Sequence, residues 1–127
     1  MDLYFGEEPI ASFTGRYADV TSPSVKLALA RRNRGLSAKD QQRVRSPKSE
    51  EDIEFAHALS VDFFLDQEVL TGWEIEGTDG KPVPFGRAML REFFLSADYR
   101  WAFGEVDRFF TDEANFVEKT RADTLGE

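Results

Sequence analysis

The sequence predicts a mainly α fold: a compact helical domain with a small β-hairpin and an irregular or β amino-terminal segment. Two observations carry that expectation. Apolar side chains recur at helical spacing through most of residues 49–120, and serine residues that suit helix starts precede the charged and apolar runs. A third observation points to the hairpin. Around Trp73 the apolar period shortens to two, as a strand requires. With 127 residues, the chain is expected to form one domain, 1–127, with short strands or irregular structure over 1–20, a basic helical segment and loop over 21–48, and a helical core over 49–120 that contains a hairpin at 72–85.

The elements follow in order. Leu3-Tyr4-Phe5 and Ile10 to Val20 contain β-favouring residues interrupted by Gly6, Pro9 and Gly15. Thr21-Ser22-Pro23 begins a helix, because a hydroxyl accepts the free amides of a first turn and proline tolerates its first position. Val25 to Arg34 supplies good helix formers and Gly35 a stop; alternating Val25, Leu27 and Leu29 would also suit a strand, but Ala28 and Ala30 favour the helix. Ser37 caps a short helix over Leu36 to Val44, and Ser46-Pro47 makes a turn.

Ser49, followed by Glu50, Glu51 and Asp52, opens the strongest helix, expected to run about twenty residues to Gly72. Its apolar face is Ile53, Ala56, Leu59, Phe63 and Leu70, widened by Phe55, Phe64 and Leu65. Trp73 and Ile75 then alternate with Glu74 and Glu76, and Thr78-Asp79-Gly80 turns the chain toward Val83-Pro84-Phe85. Pro82 and Pro84 restrict this second strand to an edge or an extended arm. A helix restarts near Gly86 with Met89, Leu90, Phe93 and Phe94 on one side. Asp98 is expected to cap a last helix with a stripe of Tyr99, Ala102, Phe103, Val106, Phe109, Phe110 and Val117, ending by Thr120.

Composition narrows the function classes. Net charge is −8, which argues against a surface made to neutralise nucleic-acid phosphates. The charge is segregated: Arg31 to Lys48 carries seven cations against one acid, whereas Ser49 to Asp79 carries ten acids and no Lys or Arg. These blocks are expected to be solvated faces that attract each other. No aromatic residue lies between Asp19 and Glu54, so the basic block lacks rings to stack on bases. The chain has no cysteine, and neither a signal-like apolar run nor a membrane-spanning stretch is evident, so a cytoplasmic protein without membrane association is expected.

Chemistry-bearing clusters are sparse. His57 is the single histidine, placed between Ala56 and Ala58, where a surface or hydrogen-bonded role suits it better than general base. Asp62 and Asp66 form the one helical carboxylate pair worth considering for a metal, and a solvated face explains them as well. Glu76-Gly77-Thr78-Asp79-Gly80 lacks the alternating ligands and terminal Glu of a calcium loop. A small enzyme therefore ranks low, and no cofactor is expected. Aromatic doublets are more distinctive. Phe63-Phe64, Phe93-Phe94 and Phe109-Phe110 each set two rings about 100° apart on a helix, so one of each pair can enter the core while its neighbour lies at the margin.

Residues 70–94 combine Leu70-Thr71-Gly72-Trp73-Glu74, Asp79-Gly80, Pro82-Val83-Pro84-Phe85, and Leu90 with Phe93-Phe94. This order resembles the tail assembly chaperones of long-tailed phages and prophages, in which a helix ends in a Gly-Trp step, passes a "DG…PF" turn and enters a helix with paired large apolar residues. With the helix from Asp52 to Leu70, the resemblance covers about a third of the chain. Gly86 stands where that family often has Ser or Thr. The resemblance implies a non-enzymatic protein, the short form of a frameshifted pair, that coats the tape-measure protein in the host cytoplasm, helps recruit tail-tube subunits and is absent from the mature virion; a homo-oligomer is compatible with it. The implied partner-binding residues are Trp73 and Phe85, flanked by Phe64, Phe94 and Phe110. An alternative from another class is an acidic inhibitor or DNA mimic that binds a basic protein through the acids of Glu50 to Asp79, although the neighbouring basic block would weaken its field.

Overall fold

A computed structural model of the chain describes residues 1–77 and 79–116. The amino terminus is a β-hairpin. Strands β1 (Asp2–Phe5) and β2 (Glu8–Gly15) pair antiparallel, and Gly6 at the turn takes φ 64°, a conformation that glycine adopts without steric cost. Next come α1 (Pro23–Gly35), α2 (Ala38–Arg45), α3 (Glu50–Asp66), β3 (Leu70–Ile75), α4 (Arg87–Leu95) and α5 (Arg100–Thr111).

Strand β3 returns to the amino-terminal hairpin and gives a sheet of order β1-β2-β3, with Ala11 opposite Ile75 and Phe13 opposite Trp73. This corrects the mainly α expectation. The domain is a small mixed α/β fold, with 54% of the described residues in helix and 17% in strand, because the amino-terminal segment supplies the central strand of a three-stranded sheet. Ala11 and Phe13 are buried, while Ser12 and Thr14 alternate with them toward the opposite face.

Strand β3 therefore pairs mainly with β2 and only marginally with the segment after it. The Val83 amide donates to the Ile75 carbonyl at 2.9 Å, and a single bridge joins Glu76 to Pro82. Pro82 and Pro84 have no amide hydrogens with which to extend that ladder. Residues 82–85 thus form an arm laid beside β3.

Three helix starts follow local chemistry. Ser22, Ser37 and Ser49 accept bonds through Oγ from the amides of Val25, Asp40 and Asp52, and Pro23 occupies the first turn of α1. Two expected boundaries move. Helix α3 stops at Asp66 instead of Gly72, since Glu68 adopts φ 52° and the buried Val69 and Leu70 lead into the sheet. Helix α5 is preceded by Tyr99, not capped by Asp98, and breaks at Asp112. Thr78 of the expected turn, and Val117 and Thr120 of the expected last helix, lie outside the described residues.

The core lies between the sheet and α3–α5. Phe13, Val61, Val69, Phe94, Val106 and Phe110 are its most enclosed large side chains. Phe13 stacks on Phe94 with centroids 5.9 Å apart and lies 6.0 Å from Phe93, joining sheet to α4. Neither α1 nor α2 contributes a buried residue. Their basic side chains nevertheless contact α3: Arg43 bonds Asp52 at 2.9 Å and covers the Phe55 ring at 4.1 Å, and Arg32 lies 5.3 Å from the Phe63 ring.

Candidate functional site

The arm places two of the five sequence-selected aromatics together. Trp73, half-buried on β3, packs against Phe13 and Phe93 on its inner side and meets Phe85 edge to face with ring centroids 6.3 Å apart. Its indole N–H donates to the Val83 carbonyl at 3.0 Å. Phe85 remains 42% exposed. The chain enters α4 just after it through Gly86, which supplies no side-chain cap.

Two hollows flank this arm. One, about 410 Å³, is lined by Leu65, Val69, Leu70, Phe85 and Leu90, with Arg87 and Glu68 as its charged residues. The other, about 830 Å³, has Trp73, Ile10, Ile75 and Val83 on its walls and the acids Asp2, Glu74 and Glu76 around them. Their combination of apolar walls and charged edges suits side chains of a protein partner.

The other three selected aromatics are core residues, which corrects their expected place on a binding surface. Phe64, Phe94 and Phe110 are only 4%, 0% and 2% exposed. Phe64 and Phe94 each meet Phe103 edge-on, and Phe110 packs beside Phe109 and against the backbone at Gly15. A partner could reach them only by opening the fold. Their doublet neighbours differ: Phe63 and Phe109 lie at the margin, as helical geometry suggests, but Phe93 is buried with Phe94.

The chemistry-bearing residues have structural partners. His57 Nε2 lies 2.8 Å from the Phe94 carbonyl, which can only accept, so that nitrogen donates and links α3 to the end of α4. Asp62 binds Arg91 at 2.8 Å and Arg87 at 3.8 Å, while Asp66 binds Arg87 at 2.6 Å. Among the described residues no group of three or more His, Cys, Asp or Glu side chains is arranged to hold a metal. Asp107 is unlike the other acids. It lines a hollow that Phe63, Phe64 and Phe103 share with Arg32 and Gln67, and burial pushes its carboxyl above the ordinary carboxylate range.

Sequence reasoning missed a second aromatic surface. Phe5 and Trp101 are both exposed, with centroids 5.9 Å apart. The signal was Trp101 itself: it lies off the α5 stripe of Ala102, Phe103, Val106 and Phe110, a position where a large indole has no core to fill. Among the described residues no helix is long and apolar enough to cross a membrane. No family model matches the chain, and no curated protein or solved structure is significantly similar to it.

Proposed function

We propose that the chain is a non-enzymatic tail assembly chaperone of a long-tailed phage or prophage, which covers apolar stripes on the helical tape-measure protein and helps bring tail-tube subunits to it. The observation that carries this reading is the exposed Phe85 beside Trp73, on an arm flanked by two hollows with apolar walls. Those residues belong to the segment whose order resembles the family. A client helix would set its aliphatic side chains against this surface, and the chaperone's net charge of −8 would keep the complex dispersed. On this reading the protein acts in the host cytoplasm and leaves the finished tail.

Acidic mimicry has less support. Asp52, Glu54, Asp62 and Asp66, which would have to imitate phosphates, bind Arg43, Arg100, Arg91 and Arg87 respectively, all of the same chain. Such pairing lowers the field available to a basic partner.

Co-expression with the tape-measure protein encoded beside this gene tests the proposal. A soluble complex is expected, with Phe85→Ser reducing client solubility while the chaperone remains folded. An insoluble client, or a genome with no tape-measure gene nearby, would overturn it.

A further inference from the structure

The exposed aromatic pair belongs to a smaller cleft that shares Ile10 with the larger hollow beside the arm. Phe5 from β1 is 67% exposed and Trp101 from α5 is 39% exposed; their ring planes are inclined by 48°. Tyr99 and Ile10 help to line the same hollow of about 230 Å³, with Glu8 and Asp98 as its charged residues. Two contacts set the aromatic walls. The Trp101 indole donates to the Asp98 carbonyl at 2.9 Å, and Tyr99 stacks on Phe93 at 4.8 Å.

The electrostatics select the occupant. Neither Glu8 nor Asp98 makes an ion pair with a described residue, and Arg100, which lies between Tyr99 and Trp101 in sequence, is bound to Glu54 at 3.3 Å. An apolar guest would strip water from two carboxylates without replacing it. An anion would be repelled. A cation meets both demands, because aromatic faces and carboxylates attract positive charge. The hollow is below the ~300 Å³ at which pockets for drug-sized molecules begin, so it suits one side-chain head group. A guanidinium fits best by chemistry: its plane stacks on rings and its N–H groups bond carboxylates in pairs, whereas a lysine ammonium offers only the charge and point donors.

We propose that the Phe5–Trp101 cleft is a receptor for an arginine side chain presented by a partner protein. This proposal does not rest on the chaperone reading. The test is an NMR titration of the whole chain with N-acetyl-arginine methylamide, with the neutral citrulline counterpart in parallel.

Arginine is expected to produce saturable shifts at the Trp101 indole and at Phe5, Glu8 and Asp98, weakened by salt, and citrulline is not. Glu8→Gln and Asp98→Asn should each weaken binding several-fold, as should Phe5→Ser, which removes an exposed ring without opening the core. Melting temperature identifies any variant that fails to fold, and the remaining variants with the two-ligand comparison keep the test decisive. Equal response to citrulline, no response to arginine, or arginine binding unchanged in a folded Glu8→Gln/Asp98→Asn double variant would overturn the proposal.

Discussion

The Trp73 indole donates to the Val83 carbonyl at 3.0 Å while the Val83 amide donates to the Ile75 carbonyl at 2.9 Å, so the arm is held to β3 at one residue by bonds in both directions. Trp73→Phe keeps an aromatic ring against Phe13 and Phe93 but removes the indole donor. The expected cost is about 1 kcal/mol, measured as a lower urea midpoint at unchanged slope. Amide exchange should accelerate more at Val83 than at core amides of α3, because the arm loosens before the domain opens.

The exposed and enclosed phenylalanines should respond in opposite ways. Phe94→Ala removes a fully buried ring from between Phe13 and Phe103 and should cost about 3–5 kcal/mol, enough to unfold a domain of ordinary stability. Phe85→Ser should cost less than about 1 kcal/mol, with its main effect on client solubility. Thermal melts and co-expression separate the two effects. Comparable unfolding by both variants would place Phe85 in the core.

The legibility of these elements followed the range of the forces that make them. Ser22, Ser37 and Ser49 were readable as caps because each hydroxyl bonds an amide three residues away. The sheet was not, because Phe13 and Trp73 pair although they lie sixty positions apart, and nothing in either strand names its partner. The alternation at Trp73 and Ile75 marks a strand, but the segment nearest to it in sequence is the Pro82–Pro84 arm, which cannot complete a ladder. Aromatic doublets located the core well and the surface poorly. A helix repeat fixes the angle between Phe93 and Phe94, yet only the tertiary packing of β2 against α4 makes both of them buried.

Gly15 should be nearly irreplaceable. It ends β2 at a register irregularity, and a Cβ there would lie 2.6 Å from the Val69 carbonyl oxygen and 2.9 Å from Phe110 Cε1. The first obstacle is backbone in the β3 approach and the second is a core ring, so neither can withdraw freely. Gly15→Ala is expected to destabilise by about 1–3 kcal/mol through overpacking, read from chemical denaturation. Gly35→Ala is the control, since a Cβ at Gly35 meets nothing within 4 Å.

Two aspartates should give the folding equilibrium opposite responses to acid. Asp52 accepts the Lys48 amide at 2.9 Å and then the Arg43 side chain at 2.9 Å, and these bonds hold its carboxyl below its ordinary value of 3.8. The unfolded chain therefore takes up its proton first as pH falls. The stability from Asp52 is complete above the unfolded value and is lost as pH drops through the lowered native one. Asp107 has the reverse sign, because burial raises its native value. Its penalty is complete at neutral pH and is relieved as pH falls through that raised value toward the unfolded one. Asp52→Asn should thus lower the melting temperature at pH 7, with the gap from the parent narrowing in acid. Asp107→Asn should raise it at pH 7, by less than about 1 kcal/mol for a partly solvated group, and this gap should also narrow in acid. Melting curves of the three proteins from pH 7 to pH 3 check both signs, and a neutral-pH loss of stability in Asp107→Asn would show that the carboxylate holds a stabilising contact in solution.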